Sequence, residues 1–560
     1  MAESEFLPLV ITDIIKWERV QLIFAGRIRN FDPDKTVFRL TDLENQRSCD
    51  LWDVQIKDDR FLIRVNITTV YGDRTFLPDG NWSLVACNKE TGAIFPMESG
   101  EHLFSDEGFS DRFVLAPKNE KLGRFAREFT KGSFISYTIM PCVNDSGHLY
   151  LQVTYLHPQA PSAMRKCISL LKKWTRPFIS SVLRGGFFSV FFLTGLFSRH
   201  KGNRIVFCSD SRAELSGNMK DVYDRLVERG LDKQFHIDFL LKESVKARRG
   251  IIDKFRAPHL LARADIVIID DFNPTVKQLK FKPQVKVVQL WHACGAFKTV
   301  GFSRTGKKGG PFLTNDNHRV YTHAIASSSH VARFYCEAFG MLPDSVYPTG
   351  VPRTDMFFND EYKLNTAAAL YEAHPEFKGK KVILFAPTFR GNGAKSGHYP
   401  LHNLDMQAIA ALCRRTDSVF IFKMHPFVKD IVYIPESLSD VLFDLSADRE
   451  INDLLFITDL LITDYSSVIY EASILNIPML FFAYDLEEYI SSRDFYEPFE
   501  SFVPGKIVRS LDELLSSIES GDFEQEKVEP FCNRNFEFRD GGSTDRVIDW
   551  IILGNKPGLK

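Results

Sequence analysis

Four stretches toward the C-terminal end decide the fold: KVILFAPTF at 381–389, VFIFKMHP at 419–426, LLITD at 460–464 and IPMLFFAYD at 477–485. Each is a short, nearly unbroken apolar run that ends on polar residues. Runs of that length without alternation fit strands buried on both faces, the signature of a parallel sheet covered by helices. SSVIYEASILN at 466–476 supplies a helical stretch between two of them.

Working back along the chain, a second series has the same character: RIVFCSD (204–210), FHIDFLL (235–241), ADIVIID (264–270), VKVVQLWH (285–292), HAIASSS (323–329) and SVYPTG (345–350). NMKDVYDRLVERG at 218–230 is a helical stretch among them. Two successive sets predict two Rossmann-like lobes, 203–370 and 371–560, meeting near residues 355–380. A last helix from about 543 to 553 is expected to cross back to the first lobe.

The N-terminal part reads differently. VQLIFAGRI (20–28), TVFRLTDL (36–43) and SFISYTIM (133–140) are among seven or so short β-branched runs, separated by turn clusters such as LPDGN and NDSG. A sandwich-like β-rich accessory domain over 1–158 is expected, with no catalytic cluster. Between it and the lobes, 159–202 is a basic, aromatic bridge. From Gly147 to Ser209 there is no Asp or Glu but there are nine Lys and Arg. Leu170, Leu171, Trp174, Phe178 and Val182 recur at helical spacing. A basic amphipathic segment of this kind suits an anionic membrane surface, and the plainer reading is a connector packed on the body. The longest charge-free apolar run, 185–198, is shorter than the roughly 20 residues a span requires.

Whole-chain numbers narrow the class. A net charge of −2 over 560 residues gives no reason to expect a nucleic-acid partner. Nine scattered cysteines without a CxxC pair indicate a reducing compartment and no metal-ligand spacing. The N-terminus lacks the basic and apolar regions of a signal peptide. Oligomeric state, including a homo-oligomer, stays open.

In open parallel sheets ligands bind beyond the carboxyl ends of the strands, so the polar residues there are the candidates. His292 follows a strand directly and suits taking a proton from a hydroxyl. Lys298 and Arg304 add positive charge in the glycine-containing loop after it. FSRTGKKGGP (302–311) reads equally as a solvated loop or as one that holds a phosphate-bearing acceptor or lipid headgroup. Gly350 would let backbone approach a ligand, with Arg353 and Asp355 fixed by the same turn. Thr388 and Arg390 follow a buried strand, and arginine offers a planar fork for phosphate oxygens. Lys423 and His425 end the next strand. Asp464, Ser466 and Ser467 stand between a strand and a helix, where a serine caps the helix or helps hold an anion. Asp485, Glu487, Glu488 and Arg493 lie beyond the last strand, and one of the group, Asp485 and Glu488 foremost, is expected to orient an alditol or sugar hydroxyl.

QLWHACGAFKTVGFSR (289–304), PTGVPRTD (348–355), ILFAPTFRG (383–391), FKMHP (422–426), TDYSSVIYE (463–471) and FAYDLEEY (482–489) together resemble the CDP-glycerol/CDP-ribitol glycerophosphotransferase family of teichoic acid synthesis. Within it the chain is most similar to the ribitol-phosphate polymerases, and the resemblance runs over nearly its whole length. It implies a GT-B-type pair of lobes and monotopic, peripheral association with the cytoplasmic face of the cell membrane. It implies transfer of an alditol phosphate from CDP-ribitol, or CDP-glycerol, to an undecaprenyl-diphosphate-linked teichoic acid acceptor. By motif position His292 becomes the general base, and His425, Arg390, Ser466 and Ser467 ligands of the donor phosphates. No protein metal site is expected, although Mg²⁺ carried on the donor diphosphate would leave no trace in a sequence. One departure is visible: many glycerol-phosphate members read WHGT where this chain reads WHAC (291–294), which points toward the ribitol branch. The rival readings are a glycosyltransferase or sugar-nucleotide epimerase on the same lobes, and a non-catalytic membrane scaffold.

Overall fold

The computed structural model describes residues 9–30, 32, 34–100, 123–130, 133–156, 178–245, 247, 249–307, 310–391, 396–448 and 450–555. The first part of the basic bridge, 159–177 with Leu170, Leu171 and Trp174, lies outside them.

Both expected lobes are six-stranded and parallel. In the first, the order across the sheet is His236–Leu241, Arg204–Ser209, Ile266–Ile269, Lys286–Gln289, His323–Ile325, Val346–Tyr347. In the second it is Leu442–Asp444, Ser418–Phe422, Lys381–Phe385, Leu460–Thr463, Met479–Phe482, Lys506–Val508. The central strands are buried throughout, as in Ser418–Phe422, because helices cover both faces. In each sheet the order reverses beside the first strand, and the crevice at such a switch point is where ligands bind. In the second lobe it opens between Phe385 and Thr463, just before Thr388 and Asp464.

The terminal helical residues belong to the first lobe. Val547, Ile548 and Ile551 pack with Ile205, Phe207 and Val288 in one apolar cluster. This crossing is anchored by Asp355, whose carboxylate accepts from the backbone N–H of Ser543 (2.9 Å) and Thr544 (2.8 Å). Arg225 adds an ion pair to Asp545 at 2.8 Å.

The N-terminal domain is a sandwich of two largely antiparallel sheets, one of five strands and one of seven. That exceeds the seven or so runs legible in the sequence, because edge strands such as Ile94–Pro96 and Glu98–Ser99 are too short to show alternation. It docks on the first lobe through Arg19, which donates to buried Glu337 at 2.6 Å, and through Arg319, which donates to the Thr68 carbonyl at 3.1 Å.

Phe178–Phe197 forms a helix of 20 residues that packs along Ile251–Arg263. No described helix is long and apolar enough to cross a membrane.

Candidate active site

The loop 290–300 is the centre of the cleft. It leaves the first-lobe strand Lys286–Gln289 and packs against the second lobe, where Cys294 and Phe297 join that lobe's core. Two glycines make the crossing possible. A Cβ on Gly295 would stand 2.1 Å from the Tyr470 ring, and one on Gly301 (φ +52°) 2.0 Å from the Ala338 carbonyl. Trp291 itself is held at φ 49°, an uncommon conformation for a bulky residue and costly unless the surroundings fix it. Here they do: Asn218 Nδ2 donates to the Leu290 and Trp291 carbonyls at 3.1 and 2.8 Å, and Tyr335 Oη donates to the carbonyls of Ala293 and Gly295. The Ala-Cys sequence after His292 is accommodated by the second lobe, since the Cys294 thiol donates to Glu471 Oε1 at 3.2 Å.

This turn presents His292 to solvent at the cleft, its ring tilted against that of Trp291 with centroids 4.5 Å apart. Surrounding protein holds its pKa below the usual histidine range, against the pull of Asp271. A neutral imidazole is the form that accepts a proton. The Asp271 carboxylate stands 4.0 Å from Nδ1, placed to stabilise the imidazolium that forms when Nε2 takes that proton. Asp271 follows the strand Ile266–Ile269, so the strand-end rule that singles out His292 marks it as well.

Across the cleft, the second lobe contributes His425. Its Nδ1 accepts the Phe427 backbone N–H at 3.0 Å, which puts the ring proton of the neutral form on Nε2 as a donor. Burial, then Lys298 and Arg493, lower its pKa. Lys298 is itself pushed down to about 8, chiefly by burial, with Arg493 and Arg390 adding to the effect and Asp464 opposing it. Arg493 lies over the Phe389 ring at 5.3 Å. Among the described residues neither Lys298 nor Arg493 has a carboxylate within salt-bridge distance. Three cation-capable groups from two lobes therefore face one space uncompensated, which is the electrostatic form of a site for a multivalent anion. Arg493 was visible in the sequence only as one of four charged residues after the last strand.

Several expected ligand residues are committed to the protein instead. Arg390 donates to both Asp485 oxygens (2.6 and 2.9 Å) and to Asp464 Oδ2 (2.9 Å), inside a cage that includes Tyr399, Tyr465, Tyr484 and Tyr489. It is a strut between two strand ends rather than an open fork. Asp464 also accepts from the Thr388 N–H at 2.7 Å; the Thr388 hydroxyl is buried with no hydrogen-bond partner among the described residues. Arg353 pairs with Glu471 and so joins the lobes. Gly350 (φ +84°) leaves room for Ser543 rather than a ligand, since a Cβ there would meet Ser543 Oγ at 2.3 Å. Asp355 caps the C-terminal helix, as above. Lys423 donates to the carbonyls of Leu445 and Ser446 at 3.2 and 2.9 Å.

The remaining candidates are placed at the margins. Ser466 Oγ accepts from Val468 N at 3.4 Å, and Ser467 precedes the helix Val468–Ile474 without a side-chain cap bond, so its hydroxyl is not spent on capping. Arg304 lines a polar hollow of about 320 Å³ with Asn315, Asn317 and His318. Glu488 is exposed on the helix Leu486–Ser492.

Comparisons with known proteins agree with this geometry. The CDP-glycerol:poly(glycerophosphate) glycerophosphotransferase profile matches residues 190–553. The teichoic acid ribitol-phosphate polymerase TarL of Staphylococcus aureus is 41% identical, over 96% of this chain and 98% of its own. TarK of the same organism, another ribitol-phosphate polymerase, is 40% identical over 88% of this chain and 99% of its own. Among solved structures, the wall teichoic acid polymerase TagF shares the fold, with a TM-score of 0.54 at 21% identity, covering 70% of this chain and 99% of that one. With its profile match spanning both lobes and the His292 loop between them, the chain belongs to the CDP-glycerol:poly(glycerophosphate) glycerophosphotransferase family.

Proposed function

We propose that this transferase moves ribitol phosphate from CDP-ribitol to the growing end of a lipid-linked wall teichoic acid and releases CMP. The observation that carries the reading is a neutral histidine, His292, on the first lobe's loop, with the cations Lys298 and Arg493 and the neutral Nε2–H donor of His425 gathered on the donor side. The near full-length likeness to ribitol-phosphate polymerases supports ribitol over glycerol as the alditol.

The step is an in-line displacement. A terminal hydroxyl of the acceptor attacks the ribitol-bearing phosphorus, a P–O bond forms to the acceptor oxygen, and the P–O bond to CMP breaks. His292 Nε2 takes the hydroxyl proton as the bond forms. Lys298, Arg493 and the His425 Nε2–H stabilise charge on the diphosphate oxygens and on departing CMP. Phosphoryl transfer of this kind is chiefly positioning and charge stabilisation. Ser466 and Ser467 offer further donors at the same edge. Asp464 and Asp485 are both engaged by Arg390, so Mg²⁺ entering with the donor would be held by diphosphate oxygens rather than by these carboxylates; turnover with and without EDTA tests this.

The acceptor's lipid places the enzyme at a membrane, on the face where CDP-ribitol is available. The exposed apolar side of Phe178–Phe197, with Phe192 and Phe197 69% and 82% exposed, supports peripheral association. The test of the function is turnover of CDP-ribitol and CDP-glycerol on a lipid-linked acceptor, following CMP and product length. Preference for CDP-glycerol would replace the alditol assignment, and failure to turn over either donor would sink the enzyme reading.

A further inference from the structure

The apolar side of Phe178–Phe197 ends beside a second concavity, at the opposite edge of the first lobe from His292. Arg204 and His236 begin their strands there, whereas His292 follows the end of its own, so the two places lie roughly 20 Å apart along the sheet. Thr194 and Phe197 from the helix end, Arg199 and Lys201 from the segment after it, Arg204, and His259 and Arg263 from the helix Ile251–Arg263 line a cavity of about 490 Å³.

Charge in this hollow is one-sided. Among the described residues, no carboxylate comes within salt-bridge distance of Arg199, Lys201, Arg204 or Arg263. Nearby Asp265 faces His200 at 3.1 Å and accepts the backbone N–H, not the side chain, of Arg204. His259 Nε2 accepts from Arg263 at 3.1 Å, and Nδ1 lies 3.2 Å from Thr194 Oγ1, which aligns the neutral ring and keeps the Arg263 guanidinium turned along the wall. The hollow is also prebuilt. Lys282 donates to the Gly195 carbonyl at 2.7 Å and pins the helix end, and Gly186 lets the Phe255 ring approach to 3.1 Å of where a Cβ would stand. Leaving four cations together unpaired is unfavourable by itself and is relieved by an anion.

The geometry points to this hollow as a seat for the phosphate of an anionic membrane phospholipid, with the acyl chains against Phe192, Leu196 and Phe197. The seat rests on the membrane reading above but adds to it a specific headgroup site, separate from the donor site. The adjoining apolar residues select an amphiphile over free phosphate. An arginine fork matches carboxylate and phosphate alike, so the preference for phosphate comes from the hollow of about 490 Å³, where a tetrahedral phosphodiester can meet several cations at once and a planar carboxylate meets one fork.

The test uses the full chain and flotation with phosphatidylcholine vesicles that carry either phosphatidylglycerol or oleate at matched surface potential. Preferential binding to the phosphatidylglycerol vesicles is expected, uncompeted by inorganic phosphate. The double variant Arg204→Gln/Arg263→Gln should bind them about 25-fold more weakly, at about fivefold per cation, with CMP release from soluble substrates unchanged. Phe192→Ser/Phe197→Ser should weaken binding to every vesicle. Equal binding to both anionic surfaces, or unaltered binding by the double arginine variant, overturns the seat and leaves membrane association standing. Competition by inorganic phosphate makes it a free-phosphate site. Absence of binding to any vesicle by the wild type overturns the membrane reading and the seat together.

Discussion

Replacing Arg390 by glutamine separates a structural strut from a substrate fork. In the structure its guanidinium satisfies two carboxylates, Asp464 with 1% of its side chain exposed and Asp485 with 16%. Glutamine keeps part of the stem but removes the charge, leaving two acidic groups facing each other in a largely dry site. Removing one partner of a buried ion pair costs about 3–5 kcal/mol. For a lobe of this size each kcal/mol lowers Tm by roughly 2–4 °C, so calorimetry should show the second lobe melting roughly 6–20 °C below wild type. Donor binding, titrated well below the lowered Tm, should fall far less than stability. The reasoning is refuted if Arg390→Gln melts with the wild type while losing CDP-ribitol, for the guanidinium would then be held mainly by donor phosphate.

Other outcomes follow from the cleft. The pH profile of kcat/KM should have an acid limb below 6.5, where His292 becomes protonated and ceases to act as a base, and an alkaline limb near 8, where Lys298 loses its charge; Lys298→Met should abolish the alkaline limb. His425→Ala should raise the donor Kd by roughly 10- to 150-fold, the range for losing a hydrogen bond to a charged group, with Tm little changed, as titration calorimetry and thermal melts will show. The Cys294 thiol, buried and pushed far up by that burial and by Glu471, should resist iodoacetamide at neutral pH until the protein unfolds, as read by mass spectrometry. Glu471→Ala should lower Tm by more than Cys294→Ala, because it strands the half-buried Arg353 charge as well as the thiol.

The lobes were legible because a parallel strand covered on both faces must be apolar along its length, and ten such runs stand between helical stretches. The crevice was legible for the same reason, since polar residues directly after such runs stand at the sheet's open edge. The partner of each polar residue was not. Arg390 looks like a phosphate fork until Asp485, 95 residues later, closes on it, and Asp355 looks like a ligand until it caps residues 543 and 544. Local sequence shows that a charge stands at a strand end; only the packed chain shows whether another residue has already neutralised it. Lys298 and Arg493 became prominent for the converse reason, being cations for which no such carboxylate among the described residues comes within salt-bridge distance.

The most direct test is the identity of the nucleotide released when the enzyme meets CDP-ribitol and a lipid-linked acceptor, measured for wild type and for His292→Ala. The geometry predicts CMP in step with phosphodiester formation by wild type, and near loss of CMP in the variant with donor binding retained. Release of CDP, or CMP release that continues unchanged without the His292 imidazole, would contradict it.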